Sequence, residues 1–279
     1  MHRLLIALAI SLVAAAAVAG SVLAGKPSGG GTSVTAYYPD LRTVVPLHLG
    51  IQNQQQRDIL RFSNGIANTG AGPWAVRPEP PPAEATTTTT AVQEIRDKNT
   101  LYRCGTQPKQ ISECYNVLAE HTAGTFEFHP AHNHWHIGDV ALFEIHQDSP
   151  TGPVVGGNSI KVTFCLIDWY KLEGNANTAE RVFFDCETSF QGISSGWVDQ
   201  YHQSTEGQQL DLTNVPDGNY YLVSTANYAR IFLESNYDNN SAWVKFTLSH
   251  DSNGNRKVEV TDHSPCSSPG LCGEGAPNR

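Results

Sequence analysis

The chain has 279 residues, of which 39% are hydrophobic and 16% are charged, and its formal net charge is −9. This composition suffices for one large domain, or two small ones, with a proper hydrophobic core, and it excludes a disordered chain. The negative charge argues against nucleic acid as a partner, because phosphate binding requires a basic surface. A cationic substrate is compatible with the charge.

The first residues have the features of a secretory signal. Arg3 precedes an apolar run from Leu4 to Ala24 that ends in small residues. We therefore predict a signal peptide at 1–24, a linker at 25–36, and secretion of the remainder. The run is nearly long enough to span a bilayer, so a retained N-terminal anchor is the alternative. In both cases the domain lies outside the cytoplasm, and only the anchor would bring it to a membrane.

Beyond the linker, the sequence predicts an all-β fold. Short segments rich in β-branched and aromatic residues alternate with polar and Gly/Pro clusters, and no long stretch has the apolar period of a helix. We expect a single β-sandwich-like domain with long irregular loops at 37–250, followed by a C-terminal tail at 251–279. The clearest predicted strands are Asp139–Ile145, Ser159–Cys165, Gly218–Ser224 and Ser241–Leu248.

Six cysteines follow the predicted signal. An even number of cysteines in an exported chain indicates disulfide bonds, although the sequence alone does not choose among the many connectivities. The chain contains no C-x-x-C motif, which argues against zinc ribbons and thioredoxin-like sites. Pairing of nearest neighbours is our hypothesis, and it gives Cys104–Cys114, Cys165–Cys186 and Cys266–Cys272.

Four of the eleven histidines stand within eight positions of the segment Phe126–Asp139. His132, His134 and His136 alternate, and residues two apart in a strand share a face. Three imidazoles on one face suit copper or zinc. A straight strand would separate the outer two Cα atoms by about 13 Å. The segment must therefore bend if all three bind one ion, and Pro130 interrupts regular pairing just before them.

A polar strand face whose histidines only form hydrogen bonds is the alternative interpretation. For a single histidine that interpretation would be the better one. The H-x-H-x-H spacing in an exported chain favours a metal site instead. Trp135, which lies between two of the histidines, is expected to face the opposite side and to join the core.

The segment His129–His136 resembles the copper-binding box of the lysyl oxidase family, in which a further histidine precedes an H-x-H-x-H run. The resemblance continues in the family's order through Lys161–Asp168, Gln191–Tyr201 and Leu233–Asn240. Together with Pro39–Leu41 these motifs cover roughly residues 37–248. Four motifs in one order are more specific than any one of them.

This resemblance implies a copper centre and a cofactor made from the chain itself. His132, His134 and His136 would bind copper, and Lys161 and Tyr201 would form lysine tyrosylquinone. Without the family neither precursor would attract attention, because a strand lysine is usually solvated and a tyrosine near a turn is usually half-buried.

The resemblance also implies a calcium site, because Leu233–Asn240 and Pro39–Leu41 are similar to the loops that bind calcium in some members. Oxygen ligands suit such a hard cation. The alternative is a polar turn that only closes a hairpin. The implied ligands are Asp40, the backbone carbonyl of Leu41, Glu234, Asn236, Asn239 and Asn240.

Three positions depart from the family pattern. A histidine beyond the copper box that is linked to catalysis in vertebrate members is Phe143 here, which leaves the catalytic base unassigned. The cysteine of the copper box is Ala131, so Cys186, which matches its usual partner, is expected to pair with Cys165. An aspartate of the calcium loop is Asn236, so one ligand charge is missing and calcium affinity is expected to fall.

The function implied by the resemblance is a secreted amine oxidase that uses O₂ to convert primary amines, or peptidyl lysine, into aldehydes, ammonia and hydrogen peroxide. His129 and Asp139 are nearby candidates for the base or for support of the copper ligands. The chain resembles a short, microbial-like form without animal extension domains, so collagen and elastin are not implied as substrates.

Two other functions remain open from the sequence. A non-catalytic extracellular binding module, stabilised by metal and disulfides, would explain the histidines, cysteines and strands. A different copper enzyme, such as a superoxide dismutase-like sandwich, would also explain the histidines. Neither gives a reason for the segments around Lys161 and Tyr201.

Overall fold

Strands form where apolar and polar residues alternate, and Ser241–His250 is the clearest example. Its inward-facing residues Ala242, Val244, Phe246 and Leu248 are buried, while the residues between them are not. The computed structural model describes residues 34–81, 87–97, 116–176, 178–186, 190–266, 268–273 and 276–277, without the side chains of 156–161. All regular secondary structure in these ranges is β-strand, so the all-β prediction is confirmed.

The fifteen strands of the described residues run antiparallel to their neighbours. They are β1 (Leu41–Thr43), β2 (Leu47–Gln54), β3 (Arg57–Asn68), β4 (Trp74–Glu79), β5 (Thr88–Arg96), β6 (Val117–His129), β7 (His134–Gln147), β8 (Val154–Phe164), β9 (Tyr170–Lys171), β10 (Gln191–Ile193), β11 (Trp197–Tyr201), β12 (Gln209–Asp211), β13 (Gly218–Ala226), β14 (Ser241–His250) and β15 (Arg256–His263). The four strands predicted from the sequence correspond to β7, β8, β13 and β14.

The strands form two sheets. In the six-stranded sheet the order is β1-β3-β11-β9, and β2 and β12 also pair with β3. In the nine-stranded sheet the order is β10-β4-β5-β6-β7-β13-β14-β15, and β8 pairs with β7. β15 lies in the segment that we expected to be a tail, so the sheet extends past the expected domain end at residue 250. Its side chains are mostly exposed, which explains why no apolar alternation revealed it.

One hydrophobic cluster draws on both sheets. Phe62 of β3 and Phe143 of β7 are fully buried and meet edge-to-face, with ring centroids 4.9 Å apart. Burial of a side chain of this size stabilises a fold by about 1.5–3 kcal/mol. The packing of Phe62 against Phe143 therefore fixes the position of β7, and with it the position of the histidine segment, relative to the smaller sheet.

Two disulfide bonds link loops to this framework. Cys165 pairs with Cys186 and Cys266 pairs with Cys272, as the nearest-neighbour hypothesis expects. The third expected pair, Cys104–Cys114, lies outside the described residues, as does the expected signal peptide. Within the described ranges, no helix is long and apolar enough to cross a membrane.

Candidate metal centre

The histidine segment is the turn of the hairpin between β6 and β7. His129 ends β6 and pairs with His134, the first residue of β7. The backbone N–H of His132 donates to the carbonyl of His129 at 3.1 Å. Asn133 has φ 54°, a left-handed conformation that asparagine tolerates better than most residues. The expected bend is therefore a turn, and His132 lies in it rather than in the strand.

The three alternating histidines converge. Their candidate ligand nitrogens lie within 4.8 Å of one another, and the Nε2 atoms of His134 and His136 are 2.9 Å apart. Two nitrogens that bind one ion at roughly 2.1 Å each can be no more than about 4.2 Å apart. The cluster therefore fits a single copper or zinc ion with at most a small movement of the side chains.

Burial favours the neutral imidazole at His134 and His136. The pKa of His136 is lowered to about 3, first by burial and then by its histidine neighbours, and the side chain is 6% exposed. The pKa of His134 is lowered for the same reasons. The His136 Nδ1 atom lies 3.2 Å from Thr163 Oγ1, which orients the ring. Neutral, oriented imidazoles are the form that binds metals.

His129 lies against the cluster as a fourth imidazole. Its ring stacks on His132 with centroids 4.2 Å apart and on His136 with centroids 4.9 Å apart. The buried Nδ1 atom of His129 has no hydrogen-bond partner among the described residues. This position is consistent with support of the metal ligands, one of the two roles expected of it.

A cavity of about 130 Å³ opens beside these rings. The Glu206 carboxylate lies 3.7 Å from His132 Nε2 and is 73% exposed, so the cavity mouth carries a negative charge. No sequence motif singled out Glu206, Thr163 or Phe164, because their roles arise only from tertiary contacts. The lining includes His129, His132, His136, Thr163, Phe164 and Glu206.

Tyr201 reaches the same region from the other sheet. Its ring stacks on Phe164 with centroids 4.0 Å apart and an interplanar angle of 18°. Its hydroxyl donates to the carbonyl of Cys165 at 2.7 Å. Lys161 lies in β8, three residues before Phe164, and its backbone is in register with Leu142 of β7. The side chain of Lys161 lies outside the described part of the structure.

The two loops expected to bind calcium come together although they are distant in the chain. The backbone N–H of Leu41 donates to Glu234 Oε2 at 2.8 Å, across 193 residues. Asn239 Nδ2 lies 3.0 and 3.2 Å from the two carboxylate oxygens of Asp40, and Asn240 Nδ2 donates to Glu234 Oε1 at 2.7 Å. Four of the six expected groups thus form one cluster.

The cluster has the donor set of a hard cation site. The buried Oδ1 atoms of Asn239 and Asn240 have no hydrogen-bond partner among the described residues. Burial raises the pKa of Glu234, and the nearby Asp40 charge raises it further, against the lowering effect of its hydrogen-bond donors. Two carboxylates and two unpartnered amide oxygens fit calcium. Asn236 is exposed, and its Oδ1 accepts a bond from the backbone of Asp238 at 3.0 Å.

The other two positions noted in the sequence lie elsewhere on β7. The Asp139 carboxylate accepts a hydrogen bond from the Tyr228 hydroxyl. Burial and this carboxylate both raise the pKa of Tyr228. Phe143, where the resemblance leads us to expect a histidine, packs on Phe62 between the sheets. That position therefore contributes to the core in this chain.

Comparisons with known proteins agree with the sequence motifs. The family model described as lysyl oxidase matches residues 82–258, which is more than half of the chain. Lysyl oxidase homolog 1 from Homo sapiens is 34% identical over 116 residues, which are 42% of this chain and 19% of that protein. Protein-lysine 6-oxidase from Sus scrofa is 30% identical over 117 residues, which are 42% of this chain and 44% of that protein. The match therefore spans less than half the length of either relative.

Proposed function

The chain belongs to the lysyl oxidase family, and from this premise we propose that it is a secreted, copper-dependent primary amine oxidase with a lysine tyrosylquinone cofactor. The observation that carries the proposal is that Phe164, which lines the cavity beside the histidine cluster, stacks on Tyr201. Thr163 contacts His136, and the next residue, Phe164, stacks on Tyr201. A binding module gives no reason for this arrangement.

The proposed reaction balances without a further reactant. One primary amine, one water and one O₂ give an aldehyde, ammonia and hydrogen peroxide, since the two electrons removed from the amine carbon reduce O₂. When bound, copper and the quinone supply the redox chemistry and the electrophile for the amine. The protein supplies position, exclusion of water and charge.

The chain's own residues would divide these tasks. His132, His134 and His136 would hold copper as neutral ligands. Tyr201 would provide the quinone ring, held by its stacking on Phe164 and its bond to the Cys165 carbonyl. The Lys161 amine would complete the cofactor, an assignment that rests on the resemblance and on its position in β8. His129 is the stronger of the two support candidates, because Asp139 is engaged by Tyr228.

Calcium would bind where the two distant loops meet. Asp40, Glu234, Asn239 and Asn240 are supported as ligands by their contacts and by the unpartnered amide oxygens. The Leu41 carbonyl and Asn236 rest on the resemblance alone.

The proposed location is extracellular, with the signal at 1–24 removed and the catalytic domain beginning near residue 37. The disulfide bonds fit an oxidising compartment. The proposed substrates are primary amines, including peptidyl lysine, together with O₂. The acidic net charge is compatible with a cationic substrate.

The test is an assay of hydrogen peroxide release from simple primary amines by copper-loaded, aerated protein. Tyr201→Phe should abolish release because it removes the oxygen from which the quinone forms, and Lys161→Ala should abolish it because it removes the cross-linking amine. Copper should still bind to both variants. Phenylhydrazine should label the wild type alone, and peptide mass mapping should detect a cross-link between the two residues.

Matched controls are available in the same chain. Tyr220→Phe removes a comparable hydroxyl-to-carbonyl bond, to Pro216 at 2.9 Å, and Lys257→Ala removes an exposed lysine. Both controls should keep activity and label. If the copper-loaded wild type forms no cross-link and releases no peroxide, the enzyme proposal fails, and a metal-stabilised binding module becomes the better description.

A further inference from the structure

The loop between β13 and β14 carries three of the calcium-cluster residues and also contacts β7, the strand that carries His134 and His136. β13 pairs with β7 as far as Ala226, opposite Ala141, and the chain then leaves the sheet toward Glu234. The residue after Ala226 is Asn227, whose backbone N–H donates to the carbonyl of Val140 at 2.8 Å. The beginning of this loop therefore rests on β7, four residues beyond His136.

Asn227 joins the loop to the calcium cluster. Its side chain is 1% exposed and uses both ends of the amide. Nδ2 donates to Glu234 Oε1 at 2.5 Å and to the carbonyl of Phe232 at 2.9 Å, and Oδ1 accepts from the N–H of Phe232 at 3.1 Å. Asn227 therefore contacts the Glu234 carboxylate through its side chain and Val140 through its backbone.

Tyr228 adds a second contact to the same part of β7. Its hydroxyl donates to the carboxylate of Asp139. Between Ile137 and Ala141 the pairing of β7 with β8 is irregular, since Ile137 pairs with Phe164 whereas Ala141 pairs with Val162. The contacts of the loop thus fall on the segment directly after His136, where the ladder to β8 is irregular.

We infer that Asn227 and Tyr228 are positioning residues that connect the calcium cluster to the histidine cluster, so that calcium raises the affinity for copper. The inference rests on the two proposed metal sites. Calcium would fix the Glu234 carboxylate, Asn227 and Tyr228 would then hold residues 139 and 140, and β7 would present His134 and His136 in the geometry that binds copper.

The test measures copper affinity by competition with a chromophoric copper chelator, on full-length secreted protein, in calcium-free buffer and in saturating CaCl₂. In the wild type, calcium should raise copper affinity by at least about fivefold, the lower end of typical coupling between sites. Copper must raise calcium affinity by the same factor, because linkage is reciprocal. The Cu²⁺ electron paramagnetic resonance spectrum should also change when calcium is added.

Tyr228→Phe removes only the hydroxyl, so both metals should still bind while the coupling factor falls towards one and the spectral change shrinks. Tyr220→Phe is the matched control: it also removes a single tyrosine hydroxyl, which donates to the Pro216 carbonyl at 2.9 Å, and it lies on β13 before the loop. It should keep the full coupling. Circular dichroism of each variant would show that the fold is retained.

The outcomes separate this inference from the proposed function. If both metals bind to the wild type but neither affects the other, or if Tyr228→Phe and Tyr220→Phe reduce the coupling equally, the positioning role is refuted and the metal sites stand. If the wild type binds no copper or no calcium, the corresponding proposed site fails and the inference fails with it.

Discussion

Removal of calcium should lower the stability of the domain by an amount that can be worked from the ligand cluster. The buried Oδ1 atoms of Asn239 and Asn240 have no hydrogen-bond partner among the described residues, and the carboxylates of Asp40 and Glu234 repel each other. A calcium ion coordinated by both amide oxygens and both carboxylates would give the oxygens a partner and would also remove the repulsion between the carboxylates.

The magnitude follows from the two amide oxygens. A buried polar group without a partner costs about 1–3 kcal/mol. Satisfying both oxygens should therefore raise the free energy of unfolding by about 2–6 kcal/mol, before any gain from the carboxylates. In a domain of this size about 1 kcal/mol shifts the melting temperature by roughly 2–4 °C. We expect a calcium-dependent shift of about 5–20 °C.

The assay is thermal unfolding followed by circular dichroism in calcium-free buffer and in saturating CaCl₂. Asn239→Ala should remove about half of the calcium-dependent shift, because it deletes one of the two amide oxygens. Asn255→Ala is the matched control, since Asn255 Nδ2 donates to the carboxylate of Asp251 at 3.1 Å in an exposed turn of a different hairpin. That variant should keep the full shift.

Two results would refute the reasoning. A wild-type shift below about 2 °C, less than about 1 kcal/mol would give, would mean that the amide oxygens gain nothing from the ion. An equal loss of the shift in Asn239→Ala and Asn255→Ala would mean that calcium acts through general surface charge rather than through this cluster.

Further predictions concern stability. Phe143→Ala should cost about 3–5 kcal/mol in chemical denaturation, because it empties the core contact with Phe62. Asp168 is fully buried and accepts four hydrogen bonds. The substitution Asp168→Asn should cost about 1–3 kcal/mol, because either orientation of the amide leaves at least one backbone N–H without an acceptor. Burial raises the pKa of Asp168. The protonation of Asp168 therefore contributes to the free energy of unfolding in full below its unfolded pKa of about 3.9. This contribution is lost as the pH rises through the folded pKa. The difference in free energy of unfolding between the wild type and Asp168→Asn should therefore shrink between these two pKa values. Replacing Cys165 and Cys186 together by serine should cost about 3 kcal/mol, the expected effect of opening a loop of this length.

The parts of the fold that could be predicted are those with a local pattern. The alternation of Ala242, Val244, Phe246 and Leu248 is visible in the sequence because one face of β14 is buried and the other is not. β15 lacks this pattern, since most of its residues are exposed at the edge of the sheet, where charged side chains discourage further pairing. Its existence depends on pairing with β14, which no local pattern reports.

The candidate site likewise has features that a local sequence pattern predicts and features that arise only from tertiary contacts. The spacing of His132, His134 and His136 predicts that they share one face of a strand, but their convergence depends on the turn that forms where β6 lies beside β7. Glu206 and Phe164 acquire their positions only when two sheets meet, so their spacing carries no signal. The meeting of Leu41 with Glu234 across 193 residues was expected only through the resemblance.

In the proposed centre, the positions of the copper ligands and of the cofactor precursors differ in how far they depend on the contact between the two sheets. The copper ligands all lie in one hairpin, whose geometry is set by local pairing. The cofactor precursors come from different sheets, because Lys161 lies in β8 of the larger sheet and Tyr201 ends β11 of the smaller one. Loosening the contact between the sheets, as in Phe143→Ala, should therefore reduce the yield of the cross-link far more than the copper stoichiometry. Cofactor formation would then report on sheet packing, whereas copper stoichiometry would not.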